Sequence, residues 1–200
     1  LVNGVSIPER FEKSGSYWSR AFMRWLKEDV NLLSSSKNSL NLLISQVEAI
    51  RSTLLESTLL MRDLSQTERY KKNVDLLTTI PGIGVTIAMC ILTEVYDVSR
   101  FRNEREFASY LGLIPTTRSS GNKIMHGEMT FRGNKQLSTM VIEAAWVAIG
   151  HDAGMGSLYQ HYKERLKPQE AIVRIARKLS NVIFSVLINR TEYVPYYMDN

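Results

Sequence analysis

The segment Thr116–Leu137, TTRSSGNKIMHGEMTFRGNKQL, sets two adjacent serines, Ser119 and Ser120, directly before Gly121 and among Arg118, Lys123, Arg132 and Lys135. A hydroxyl beside a pliable glycine and several cations is raw material for attack on a phosphate, because the cations stabilise the charge that develops there. The same residues also make an ordinary polar connector, since serines satisfy turn hydrogen bonds and glycines permit the turns. Both readings stand on the residues alone.

A second stretch, Leu76–Ala88, reads LLTTIPGIGVTIA. A helical pattern, the turn I-P-G-I-G and a second helical pattern match the helix-hairpin-helix motif of DNA-binding proteins. Here Pro81, Gly82, Ile83 and Gly84 carry the expected contact. Glycines let the first N–H groups of the second helix approach a phosphate, where the helix dipole also favours negative charge. Ile80 and Ile83 would anchor the turn in the core. Such a contact is insensitive to sequence and sensitive to salt. A purely structural helical turn is the other reading.

Other familiar chemistry is missing. His126, His151 and His161 are scattered, with no HExxH pattern and no Cys/His spacing for zinc. No G-x-S-x-G elbow, Walker lysine motif or dinucleotide fingerprint occurs. No metal site is therefore expected in this chain.

The elements that must position these groups read as helices nearly throughout. Residues 16–33 place Trp18, Phe22, Trp25, Leu26 and Val30 on one face of a single amphipathic helix. From about Ser36 to Arg62, Leu40, Val47, Leu54 and Met61 recur at one heptad position and Leu43 and Ile50 at the other, although Ser57 breaks the second series. An intrachain helical hairpin or a dimeric coiled coil would bury that seam. Ser65 and Glu68 have capping-box spacing, predicting a helix over 66–79 that Pro81 ends. Val85–Val95 is helical again, 97–102 a loop, and Asn103 caps a short helix through Tyr110. Residues 112–133 are irregular, with room for a short hairpin at Lys123–Phe131. Helices follow over 134–149, 157–166 and 168–188, with Gly150–Gly156 as an interruption. The aromatic tail, TEYVPYYMDN, is expected to pack back on the domain or on a partner.

The 200 residues, 44% of them hydrophobic, suffice for one or two domains and contain no apolar run long enough for a membrane span. The first residues lack the pattern of a signal peptide. The single cysteine, Cys90, sits in an apolar run and reads as a core residue, which fits a reducing, cytoplasmic setting. The net charge of +5 is uneven: residues 1–66 hold eight Lys/Arg against seven Asp/Glu, so +4 falls in the remainder. That distribution favours a polyanionic partner for the larger part. The fold expected is all-α: a helical bundle at 66–200 holding the helix-hairpin-helix motif, preceded by a helical or coiled-coil segment at 1–65.

The succession LLTTIPGIGVTIAMCILTEVYDVSRF, FASYLGLIPTTRSSG and GEMTFRGNKQLSTMVIEAA resembles the C-terminal transposase domain of insertion-sequence transposases of the DEDD/serine class, relatives of the Piv DNA invertase that include bridge-RNA-guided recombinases. The resemblance covers about 76–149. It implies a nucleophilic serine, the one before the glycine that follows the G-L-x-P element, which lands on Ser120. It also implies DNA as partner, a guide RNA in some members, and an N-terminal RuvC-like domain whose carboxylates hold magnesium; a homo-oligomer is expected from the heptad seam of 36–62. No such domain precedes residue 16, and the chain starts at Leu1 rather than Met, so a fragment lacking that metal site, and inactive by itself, is expected. Where members carry an arginine-rich pattern, this chain reads QLSTMV at Gln136–Val141. On this reading Arg118, Lys123, Arg132 and Lys135 contact phosphates or guide RNA. A non-catalytic helix-hairpin-helix DNA-binding or assembly module is the alternative, and a helical dimerisation protein a third.

Overall fold

The computed structural model describes residues 5–15, 17–113, 115–120, 123–129 and 133–195, the two strand segments by their backbone. The fold is all-α, as the periodicity predicts, with one two-stranded hairpin inserted. Two compact units divide at Leu59 and Leu60.

The first unit holds α1 (Glu9–Ser14), α2 (Arg20–Glu28) and most of α3 (Ser34–Ser65). Its core is aromatic: Phe11, Phe22 and Trp25 pack with ring centroids 5.2 to 5.8 Å apart, beside Val30. The helix predicted over 16–33 is shorter than expected. Ser19 caps it by accepting the Phe22 N–H at 3.1 Å. At the other end the Lys37 ammonium donates to the carbonyls of Lys27 and Val30 at 2.8 and 2.7 Å, a cation closing the negative end of the helix. Trp18 therefore lies outside α2, with a left-handed backbone (φ 72°) and 57% of its surface exposed, not on the core face. Along α3 the heptad residues Leu43, Ile50 and Leu54 remain exposed.

The second unit is a bundle around α9 (Pro168–Asn189). One face of α9, Ile172, Ile175, Ala176, Leu179, Ile183 and Val186, is buried. Around it pack α4 (Lys71–Thr78), α6 (Glu104–Tyr110), α7 (Lys135–His151) and α8 (Ala153–Lys163), while α5 (Val85–Val95) joins the same core by packing on α4 and α7. Ala144, Ala145 and Ala148 give α7 a flat buried face that neighbours approach closely.

Three expectations are corrected here. Ser65 does not begin a helix: α3 runs through it, its hydroxyl donates to the Arg62 carbonyl at 2.6 Å, and α4 starts only at Lys71. The interruption expected over Gly150–Gly156 narrows to the single residue Asp152. Helix α7 ends at His151, and the buried Asp152 caps α8 by accepting the Met155 N–H at 2.8 Å. Gly156 lies within α8, where a Cβ would come 2.8 Å from the Ile149 carbonyl oxygen, so the close approach of the two helices favours glycine there. Finally, the hairpin spans more than Lys123–Phe131: β1 (Pro115–Ser120) pairs antiparallel with β2 (Lys123–Met129). Gly121 and Asn122, between the two strands in the sequence, lie outside the described residues.

The tail does return to the bundle at Tyr193. Its N–H donates to the Thr79 hydroxyl at 2.9 Å and its hydroxyl to the Asp152 carboxylate at 2.7 Å. Cys90 is partly buried in α5. Burial, and then the Glu94 carboxylate one turn on, raise its thiol pKa, which suits a packing residue.

Candidate nucleic-acid interface

The turn between α4 and α5 gives its two glycines different tasks. Gly82 has φ 87°, and a Cβ built on it would lie 2.2 Å from the Ala144 carbonyl oxygen. It is the point where the turn rests on the backbone of α7. Ile80 and Ile83 are buried on either side, leaving the backbone as what Ile83 can offer a ligand. Gly84 is exposed, extended (φ −90°, ψ 173°), and a Cβ there would meet nothing within 4 Å. It is the N-cap of α5 and supplies no side chain to satisfy the first N–H groups of the helix. Those donors lack intrahelical partners by the geometry of any helix start.

They open into a cleft of about 620 Å³ lined by Arg62, Asp63, Ser65 and Gln66 from the end of α3 and by Gly84, Val85, Thr86 and Ile87. Unsatisfied N–H groups, the positive end of the α5 dipole and the Arg62 guanidinium thus converge, with Asp63 as partial counterweight. Arg62, Gln66 and Thr86 are absent from the residues the sequence points to. Thr86 is two residues from Gly84 and legible as a helix-start hydroxyl, whereas the placement of Arg62 depends on tertiary structure.

A Gly84→Val and Arg62→Glu double variant is expected to keep the fold, because neither position is packed, and to weaken duplex binding about tenfold or more with a shallower salt dependence. Fluorescence anisotropy at two salt concentrations measures both. Unchanged affinity would remove the cleft from consideration.

The serine segment is mounted at the other end of α5. Gly112, with φ 76°, and Gly133 touch through their backbones: a Cβ on Gly133 would lie 2.2 Å from the Gly112 Cα. Next to them the Asn134 N–H donates to the Tyr110 carbonyl at 3.1 Å, and Asn134 caps α7 by accepting the Leu137 N–H at 3.1 Å. The Asn134 amide also donates to the Glu94 carboxylate at 3.0 Å, and the Tyr110 hydroxyl to the Glu94 carbonyl at 3.0 Å. Both feet of the hairpin are therefore tied to the last turn of α5. An eleven-residue helix is roughly 16 Å long, so the cleft and the hairpin feet are about that far apart.

Within the hairpin, Ser120 is the last paired residue of β1, opposite Lys123, and Ser119 is opposite Ile124. The serines thus lie in a strand, next to its end, where the sequence suggests irregular chain. Arg118 is opposite Met125, Lys135 is the exposed first residue of α7, and Arg132 lies outside the described residues. Among the described residues, no three of His, Cys, Asp and Glu gather as metal ligands. No described helix is long and apolar enough to cross a membrane.

Known proteins share this stretch. An insertion element IS110 protein of 43.6 kDa from Streptomyces coelicolor is 38% identical over 120 residues, covering 59% of this chain and 29% of that protein. The transposase for insertion sequence element IS1111A from Coxiella burnetii is 27% identical over 135 residues, 66% of this chain and 37% of its own length. The pilin gene-inverting protein of Moraxella bovis is 30% identical over 124 residues, 60% and 38%. The matched stretches thus span well under half the length of these relatives. Residues 74–160, from α4 through the α5 turn and the hairpin to α8, match the transposase IS116/IS110/IS902 family.

Proposed function

We propose that this chain is the DNA-binding, serine-bearing part of a transposase or site-specific recombinase. In this role the start of α5 holds a DNA phosphate and the hairpin presents Ser120 to the strand that is cut. The observation that carries the reading is the placement of Ser120 at the end of β1, on a hairpin whose two feet are pinned beside α5, within the stretch that matches a transposase family. The Ser120 oxygen attacks phosphorus, a serine–phosphate ester forms, and a sugar hydroxyl leaves with the proton. Rejoining reverses the step with another strand's hydroxyl, so no outside energy source is required.

The positive charge that such an attack needs comes from Arg118, Lys123, Arg132 and Lys135, of which Lys123 is the strand partner of Ser120. Further activation, by carboxylate-bound magnesium, is assigned to residues outside this chain. A guide RNA is the second polyanion that the same cations would hold in this proposal.

The test is covalent capture. A nicked substrate that loses its leaving strand should trap a DNA adduct on the full-length protein, and peptide mapping should place it on Ser120. Failure to form an adduct, with DNA binding retained, favours the non-catalytic DNA-binding module.

Self-association through α3 belongs to the same proposal. Leu43, Ile50 and Leu54 expose apolar surface at heptad spacing, and a second copy of this helix presents the matching seam. Sedimentation at tens of micromolar should show a dimer or larger species, and an Ile50→Lys, Leu54→Lys variant should shift it to monomer. A monomeric parent chain overturns this part.

A further inference from the structure

Trp18 and the cations that follow it are not used by the α5 cleft or by the serine hairpin. All belong to the first unit. Arg20, Arg24 and Lys27 recur at helical spacing, which puts them on one side of α2. With Arg51 and Glu48 of α3, and with Glu28, they line a cleft of about 440 Å³ that the buried Met23 also borders.

The charges in this cleft are not mutually satisfied. Glu48 is taken by Lys27, whose ammonium lies 2.7 Å from it. Among the described residues no ion pair engages Arg20 or Arg24. Arg51 donates to the Trp18 carbonyl, so one guanidinium both borders the cleft and holds the unusual backbone of the tryptophan. This clustering is local, because residues 1–66 are nearly balanced in charge overall.

The aromatic side of the arrangement is equally uneven. Phe11, Phe22 and Trp25 are buried, whereas Trp18 is 57% exposed and Tyr17 beside it 43%. A left-handed backbone at a tryptophan costs about 1 kcal/mol or more, and the burial of an aromatic ring does not offset it here. A cationic groove beside an outward-facing aromatic ring is the combination that holds single strands: phosphates lie along the cations and a base stacks on the ring.

We propose that the α2–α3 cleft is a binding site for single-stranded nucleic acid, with the phosphodiester backbone on Arg20, Arg24 and Arg51 and an unpaired base on Trp18. The shared chemistry is that of DNA and RNA alike. A lipid headgroup is the poorer fit, because the cations line a concavity rather than a flat face.

The test uses the whole 200-residue chain. Labelled oligothymidylate and oligouridylate of about twelve nucleotides, and a duplex of the same length, are titrated by anisotropy. The single strands should bind, and the preferred one names the source. Arg20→Glu with Arg24→Glu should weaken that binding about tenfold and flatten its salt dependence. Trp18→Ala should weaken it about tenfold and Trp18→Phe should largely restore it. Arg24→Gln, a milder change at an exposed position, should give a smaller loss in the same direction if the double variant folds poorly.

Wild-type affinity in the Arg and Trp18 variants overturns the site. Tighter binding of the duplex, or binding to phosphatidylserine vesicles but not to oligonucleotides, overturns the single-strand assignment. To keep this site distinct from the α5 cleft, the variants are repeated in an Arg62→Glu background. Loss of all single-strand binding from Arg62→Glu alone also overturns the proposal.

Discussion

Ser120→Ala in the full-length protein is expected to abolish strand exchange, by roughly 10⁴-fold or more, while DNA affinity stays within about twofold. The size follows from the role. Removing the atom that forms the covalent bond leaves positioning and electrostatics but no route through a serine ester. The selectivity follows from the register, in which Ser120 pairs with Lys123 next to the strand end and Ser119 pairs one step further in with Ile124. Ser119→Ala should therefore recombine at close to the wild-type rate. A recombination assay on a plasmid carrying both DNA sites decides the matter. The opposite pattern moves the assignment by one residue, and full activity in both variants rejects a serine nucleophile. Lys123→Ala should fall between, losing roughly 10²-fold in rate as one stabilising cation is removed.

The second large effect concerns stability. Gly82→Ala is expected to destabilise the chain by about 3–5 kcal/mol, whereas Gly84→Ala should change stability by under about 1 kcal/mol. The added methyl at Gly82 would overlap the Ala144 carbonyl oxygen at 2.2 Å and approach its carbon at 3.0 Å. Those are backbone atoms in the middle of α7, so no rotamer change relieves them. The backbone at Gly82 is also left-handed, which alanine disfavours. Relief requires α7 to separate from the turn, opening the contacts of Ile80, Ile83 and Val141 in the common core. For a chain of this size the melting temperature should drop by roughly 10 °C. Equal melting curves for the two variants would contradict the packing described for the turn. The comparison also guards the DNA-binding test, because only the Gly84 change reports on ligand approach without disturbing the bundle.

Local signals were readable where local chemistry decides the structure. Asn103 accepts the Glu106 N–H at 2.9 Å and starts α6, and Pro168 opens α9, both as their residue types suggest. The apolar run Val85–Val95 is one helix. The misread elements are those that distant residues decide. Helix α2 stops early because Lys37 takes its terminal carbonyls, and Trp18 leaves the helix that its spacing implied. Gly156 looked like a breaker, yet it is the residue that lets α8 start close to the end of α7. Helix α1 is six residues long and carries too little period to stand out. At the candidate site, the turn Pro81–Gly84 was visible as a turn, but the separate tasks of its glycines depend on Ala144, 62 positions after Gly82. Arg62 was invisible for the same reason, since it reaches the start of α5 from another helix.

The contact between Gly112 and Gly133 makes the hairpin a detachable module. The chain leaves the bundle and re-enters it at nearly one point, so the loop is closed at its base before any of its own residues contribute. Loop-closure entropy then depends only weakly on what lies between, and a longer, shorter or chemically different tip could be carried on the same mount. Residues 115–129 are accordingly the place where related chains can diverge in chemistry while sharing one scaffold. A chimera exchanging that segment should inherit the donor's reaction and keep the recipient's stability.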